Sequence, residues 1–323
     1  PGGYVAAIRA AQLGMNVACV EADKLGGVCL NIGCIPTKAL LSSALLVMEI
    51  KEGEQHGIRA EGLTFELGPA QERSRRVAQQ MERGIAGLFK KNKITHMQGR
   101  GRLAGRGRVE VGSDGKKTLV QAKNIILATG SRPKDLPFLK IDEDRVISST
   151  GALMLDKAPV TLAVVGAGAV GVEFADVFNA YGTKVTIIEA LDRILPLEDS
   201  DCSAVVEKSF KKRGMDIHTS ARLERADVHK KGVKLTSEDQ KGETRELDVE
   251  RVLSAVGRAP NTEGLGLEEL GVKTDRGFVV VDERLRTNVA GVYAIGDCAG
   301  QQLLAHKASH EGVTTAEAIA KEL

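Results

Sequence analysis

Val160-Thr161-Leu162-Ala163-Val164-Val165-Gly166-Ala167-Gly168-Ala169-Val170-Gly171 runs a block of strand-forming residues straight into a glycine-rich turn. An unbroken run of apolar and β-branched residues suits a strand buried on both faces, the kind found in parallel sheets. Gly166, Gly168 and Gly171 then fit the G-x-G-x-x-G spacing. The first two glycines permit a tight turn and close approach of backbone to a pyrophosphate. The third lets the following helix pack on the strand, and the helix N-terminus offers N–H donors and a positive dipole end. Glu189 closes the next apolar strand 18 residues beyond Gly171, where an acid accepts both ribose hydroxyls of NAD and repels the 2′-phosphate of NADP. A lone hexapeptide of this kind would be only a turn. With strand, helix and acid all in place, a dinucleotide site is expected, and NAD is favoured, a preference that nearby Arg193 tempers slightly.

The chain contains this unit twice. Gly3, Gly14, Val17 and Glu21 recur as Gly171, Gly182, Val185 and Glu189, each 168 residues later. Gly3 and Glu21 therefore read as the remainder of a second dinucleotide site. The strand and two glycines expected ahead of them are not in the sequence, so the first unit is expected to be truncated at its front. Two dinucleotides imply electron transfer, most economically between a flavin and a nicotinamide. Gly296-Asp297, after the apolar Val292-Tyr293-Ala294-Ile295, would suit a carboxylate gripping a flavin ribityl chain. Between and after the two copies the periodicity predicts helices over 37–50, 69–91 and 200–213, strands over 124–128 and 184–188, a charged strand region over 215–256, and a last helix. The expected class is α/β, with parallel sheet covered on both faces in two Rossmann-like three-layer domains, the NAD domain inserted in the FAD domain. The expected ranges are 1–150 for the first part of the FAD domain, 151–272 for the NAD domain and 273–323 for the return to the FAD domain.

Composition excludes several alternatives. At 323 residues, 42% hydrophobic and 27% charged, the chain is ordinary for a folded protein of about two domains. Lys plus Arg at 45 against Asp plus Glu at 43 leaves a net charge of +2 and no long basic block, so nucleic acid is not an implied partner. No unbroken apolar run reaches the ~20 residues that span a bilayer, and no secretory leader pattern opens the sequence, so no membrane association is expected. Five cysteines are too few and too unevenly placed for a disulfide scaffold.

Two of those cysteines carry a signal. Gly26-Gly27-Val28-Cys29-Leu30-Asn31-Ile32-Gly33-Cys34-Ile35-Pro36-Thr37-Lys38 places them five apart at the opening of the first long helix after Glu21. A thiol near a helix N-terminus and a lysine has its pKa lowered from about 8.5 toward 7 or below, which suits a dithiol/disulfide switch. Zinc needs about four ligands, and no second cysteine pair or histidine cluster accompanies this one, so no metal is expected. Cys19 reads as a strand core residue; nothing around Cys202 or Cys298 suggests reactivity.

Taken together, these residues resemble the pyridine-nucleotide disulfide oxidoreductases over essentially the whole chain. The marks are the Gly-Gly-x-Cys-x-Asn-x-Gly-Cys-x-Pro-x-Lys stretch ending at Lys38, Ala128-Thr129-Gly130-Ser131-Arg132-Pro133, the fingerprint with Glu173, Gly257-Arg258-x-Pro260-Asn261, and Ala294-Ile295-Gly296-Asp297. Within the family, Leu304-Ala305-His306-Lys307-Ala308 followed by Glu311-Gly312 is similar to the branch that oxidises dihydrolipoyl groups, rather than to the glutathione and mercuric reductases. Val28 departs from the family's usual Thr.

The resemblance implies a redox-active Cys29/Cys34 disulfide, with Cys29 as the interchange thiol and Cys34 facing the flavin as charge-transfer donor. Lys38 would lie near flavin N5 in an ion pair with Glu173. Gly3, Glu21, Gly101, Thr129, Gly130, Ser131 and Asp297 would contact FAD. A helix beginning near Leu303, with Leu304, Ala305 and His306 in its opening, would aim its positive end at the reduced flavin; His306 has a second reading as a mere helix start. Leu223 and Gly257 would line the NAD site with Gly166, Gly168, Gly171, Glu173 and Glu189. The implied activity is oxidation of dihydrolipoamide groups of 2-oxoacid dehydrogenase or glycine cleavage complexes by NAD, in the cytoplasm or, in a eukaryote, the mitochondrial matrix. The alternatives are a related NAD(P)H-dependent disulfide or mercuric reductase and a non-catalytic nucleotide-binding fragment. Family members continue into an interface domain that forms a homodimer and supplies a His-Glu acid/base pair. That domain is expected to be missing here, and His310 with Glu311 reads as helix surface.

Overall fold

The structure, a computed structural model, describes residues 1–59, 61–113 and 115–322; Leu323, at the end of the third expected range, lies outside the described residues. Contacts divide the chain into two compact units: Pro1–Asn31, Ala78–Arg132 and Ala259–Leu323 form the first, Ile32–Val77 and Pro133–Arg258 the second. The contact division breaks at 132/133 and 258/259, where the reading by nucleotide unit places boundaries at 150/151 and 272/273. It also gathers 32–77 into the second unit. The reason is packing: the Cys34–Lys51 helix puts Leu40 and Ala44 into the same apolar cluster as Val172, Phe174 and Phe178.

The second unit is built on five parallel strands in the order Asp216–His218, Lys184–Ile188, Thr161–Val165, Arg251–Ser254, Val146–Ile147. Thr161–Val165 is central, and its side chains alternate between two cores as the period of two requires. Leu162 and Val164 join Val185, Ile187 and Leu253 under the helices, with Phe174, Val177 and Phe178 of the Ala169–Ala180 helix. Ala163 and Val165 join Ile188 and Val252 on the opposite face. That face is covered by an antiparallel sheet, Ala221–His229, Gly232–Asp239 and Thr244–Val249, through Leu223, Val233, Leu235 and Val249. The layers are thus helix, parallel sheet and antiparallel sheet: the parallel sheet is covered on both faces, as expected, and one cover is the charged strand region over 215–256.

In the first unit, Ala18–Glu21 pairs in parallel with Thr95–Gln98, and Ile125–Leu127 with Val292–Ala294. An antiparallel sheet of Arg100–Leu103, Arg108–Ser113 and Lys116–Gln121 accompanies them. The Gly2–Gln12 helix lies against the terminal Ala305–Glu322 helix, and Arg9 donates from Nε and Nη2 to Glu317 Oε1 at 2.9 and 2.6 Å.

One stretch, Gly27–Lys51, is long and apolar enough by length and composition to cross a membrane. Less than half of its most apolar window is buried, and within it Leu40, Ala44 and Val47 are core residues.

Candidate functional site

Gly166 ends the central strand of the second unit at φ +97°, and a Cβ there would lie 2.5 Å from the Ala255 carbonyl oxygen. A Cβ on Gly171, in the first turn of the Ala169–Ala180 helix, would run into the carbonyl oxygen of Gly166. The turn therefore closes to a radius that only glycine permits. Gly168 precedes the 12-residue helix in extended conformation without a side-chain cap, an arrangement in which the first N–H groups of a helix can take an anion. Glu189 is buried at this turn. Its Oε2 accepts the Ala167 N–H at 2.6 Å and its Oε1 the Leu191 N–H at 2.9 Å. The sequence assigns Glu189 to a ribose; it does not reveal that the same carboxylate braces the glycine turn. Arg193 donates to the Pro196 carbonyl at 3.2 Å.

Leu223 and Gly257 are held in different ways. The Leu223 side chain is buried in the core, while its strand starts at Ala221, whose N–H donates to the Glu189 carbonyl at 2.9 Å. Gly257 has φ +111°, and its carbonyl accepts the Lys134 N–H at 3.1 Å. His218, whose carbonyl accepts the Glu189 N–H at 2.8 Å, has its ring nitrogen 3.0 Å from Arg245. Burial, and then the Arg245 charge, push this imidazole below the ordinary histidine value.

Cys29 lies in the short Gly27–Ile32 helix and Cys34 opens the 18-residue Cys34–Lys51 helix; the two are joined as a disulfide. Asn31 shapes this segment by donating from Nδ2 to the Leu25 and Gly27 carbonyls at 3.0 and 3.1 Å. Lys38 follows Cys34 by one helical turn, on the same helix face. Its Nζ pairs with Glu173 Oε1, from the helix that opens at the glycine turn. The other cysteines are chemically different. Burial, then Glu21, pushes the Cys19 thiol up to about 11, burial also raises Cys298, and Cys202 is an exposed free thiol. Among the described residues no group of three or more His, Cys, Asp and Glu side chains is placed to hold a metal ion.

In the first unit Glu21 is the last residue of its strand, whereas Glu189 directly follows its own, and Glu21 Oε1 accepts the Asp23 N–H at 2.9 Å. Gly101 lies in the Arg100–Leu103 strand, where a Cβ would meet Val20 at 3.4 Å. Gly3 sits in the Gly2–Gln12 helix beside Ala128. The Ser131 hydroxyl donates to Asp297 Oδ2. The Thr129-Gly130 turn is tied by Asn261, which donates from Nδ2 to the Thr129 carbonyl (3.0 Å) and from its backbone N–H to Gly130 (2.9 Å), while Thr129 Oγ1 donates to the Asn261 carbonyl (2.6 Å). The sequence marks Asn261 as part of a motif but gives it no role. The terminal helix starts at Ala305, two residues after Leu303, with Leu304 and His306 exposed and His310 on its surface.

The family model described as "Pyridine nucleotide-disulphide oxidoreductase" matches residues 1–312. A dihydrolipoyl dehydrogenase of Geobacillus stearothermophilus is 44% identical over 321 residues, covering 99% of this chain and 68% of the relative. The mitochondrial dihydrolipoyl dehydrogenase of Pisum sativum is 42% identical over 325 residues, covering 99% and 65%. Among solved structures, LpdA from Mycobacterium tuberculosis superposes with a TM-score of 0.91 at 30% identity, over 99% of this chain and 71% of that one. The HOCl-induced flavoprotein disulfide reductase RclA from Escherichia coli gives a TM-score of 0.83 at 29% identity, over 100% and 68%. The chain thus spans about two thirds of the length of the relatives it matches.

Proposed function

The chain belongs to the pyridine nucleotide-disulphide oxidoreductase family, and from this we propose that it is a dihydrolipoyl dehydrogenase, oxidising dihydrolipoyl dithiols with NAD as the final acceptor. The observation that carries the reading is the Cys29–Cys34 disulfide at the head of a long helix, with Lys38 one turn on. One lipoyl thiolate attacks Cys29 Sγ; the Cys29–Cys34 bond breaks, a lipoyl–Cys29 mixed disulfide forms, and Cys34 leaves as a thiolate. The second lipoyl thiolate attacks the lipoyl sulfur of that bond, closing the oxidised lipoyl ring and releasing the Cys29 thiolate. The helix N-terminus and Lys38 stabilise the Cys34 thiolate. Overall, dithiol plus NAD⁺ gives disulfide, NADH and one proton.

The residues present fit both cofactors. Backbone oxygens exclude any side chain at Gly166 and Gly171, leaving a cradle beside buried Glu189, which would hold NAD with Gly168, Leu223 and Gly257. Glu21, Gly3, Gly101, Thr129, Gly130, Ser131 and Asp297 would hold FAD, together with Leu303, Leu304, Ala305 and His306 around the start of the terminal helix. FAD, when bound, supplies the two-electron relay between dithiol and nicotinamide. The Lys38–Glu173 pair fixes the position of the Lys38 ammonium on the redox helix. On this reading 1–150 and 273–323 serve FAD and 151–272 serves NAD. The protein partner is a dihydrolipoyl-bearing subunit of a 2-oxoacid dehydrogenase or glycine cleavage complex, the working enzyme is a homodimer, and its compartment is the cytoplasm or the mitochondrial matrix.

Cys34→Ser in the flavin-loaded enzyme tests the assignment. Dihydrolipoamide oxidation and the long-wavelength charge-transfer absorbance should both vanish; unchanged turnover would reject it.

A further inference from the structure

Asp297 is carried on a single 3-10 turn, Gly296–Ala299, and both ends of that turn are gripped by one pair of residues on the terminal helix. Glu311 Oε2 accepts the Gly296 N–H at 2.7 Å. Lys307 Nζ donates to the Gly300 carbonyl at 2.8 Å. The two side chains pair with each other at 3.0 Å, each 14% exposed. Gly296 has φ +69° and packs so closely on the helix that a Cβ would lie 3.1 Å from the Ala308 side chain. An ordinary i,i+4 helix pair is solvated and weak. This one is largely withdrawn from water, and each partner has a second bond to main chain. Such charge-assisted bonds are geometrically demanding and costly to leave half-made.

We propose that Lys307 and Glu311 form a clamp that fixes the turn and so sets how Asp297, with the Ser131 hydroxyl on its Oδ2, is presented to a flavin. They are positioning residues: neither needs to touch the cofactor. Glu311 supplies an anion for the N–H one residue before Asp297, and Lys307 neutralises that anion while anchoring the far end of the turn. The inference rests on the reading of Asp297 as a flavin ligand, and the experiment separates the two.

The experiment measures FAD affinity by flavin fluorescence, the fine structure of the bound flavin's visible bands, and exchange of the Gly296 amide in the protein without flavin. The variants are Glu311→Gln, Lys307→Met, the double variant, Lys307→Arg and Asp297→Asn. Glu311→Gln should weaken FAD binding and accelerate Gly296 exchange by about tenfold each, and blur the visible bands. The double variant should be no worse than Glu311→Gln, since the two act as a unit, and Lys307→Arg should restore most of what Lys307→Met loses. If Asp297→Asn weakens FAD binding while Glu311→Gln alters neither affinity nor Gly296 exchange, the clamp is refuted and the flavin reading survives. If Asp297→Asn leaves FAD affinity unchanged, the flavin reading fails and the proposal falls with it. Should Glu311→Gln not fold, Lys307→Met decides: it keeps the carboxylate's bond to Gly296, and unaltered affinity and spectrum would overturn the clamp.

Discussion

Lys38 and Glu173, 135 residues apart in sequence, meet as an ion pair between two helices of the second unit. With side chains 61% and 28% exposed, the pair is too well hydrated to contribute more than about 1 kcal/mol to stability. On the proposed function its role is to fix a charge one turn from Cys34. Glu173→Gln should therefore move the melting temperature by no more than about 2–3 °C while slowing NADH formation, followed by stopped flow with dihydrolipoamide, by roughly 10–100-fold. A large loss of stability with normal turnover would assign the pair to the fold instead.

Gly171→Ala should be severe, because the added methyl meets the Gly166 carbonyl oxygen, a main-chain atom that cannot rotate aside. Overpacking of this kind costs about 1–3 kcal/mol or more. Urea unfolding should register that loss, and NADH fluorescence titration should show binding abolished. Wild-type NADH affinity would contradict the phosphate-turn assignment.

How far the sequence discloses this architecture depends on which forces act locally. The strand over 184–188 is found as read, and Gly166 turns the chain at positive φ directly after its strand, because strand periodicity and a positive-φ turn are written in adjacent residues. Partnership between distant surfaces is not. The helix over 37–50 has a clear apolar pattern, but nothing in it tells that Leu40 and Ala44 pack with Phe174 and Phe178. The charged region over 215–256 is recognisable as strands, yet its covering of one face of the parallel sheet depends on Leu223, Val233 and Leu235 meeting Ala163 and Val165. The Asn261 and Glu311 bonds to main chain are equally illegible, since any polar side chain could make them once the fold brings it there. The last helix starts at Ala305, two residues from the expected Leu303 and within the spread with which helix ends are drawn.

Glu189→Gln separates the two duties of that carboxylate. The amide keeps one acceptor oxygen, so one of the Ala167 and Leu191 N–H groups loses its partner, costing about 1–3 kcal/mol. With the charge gone, repulsion of a 2′-phosphate disappears. Steady-state kcat/KM should fall with NADH and the NADH-over-NADPH preference should narrow by about tenfold. An unaltered ratio would remove Glu189 from cofactor choice.

His218 links the fold to pH. Burial and Arg245 hold its imidazole below the usual 6.5, so the unfolded chain binds the proton first. Its contribution to stability is complete above about pH 6.5 and is lost as the pH falls. The urea midpoint of wild type should therefore fall relative to that of His218→Gln as the pH is lowered from about 6.5 to 5. Parallel curves would show that the group does not couple.

The disulfide closes a ring of only six residues, Cys29 through Cys34. On the chain-entropy account so small a ring restrains the unfolded ensemble by roughly 2 kcal/mol, against about 4–5 for one of a hundred residues. Breaking it leaves the scaffold nearly as durable as before, so thermal melts with and without reductant should differ by only a few degrees. The consequence is reversibility: the bond can be spent and remade on every turnover without the architecture registering the change.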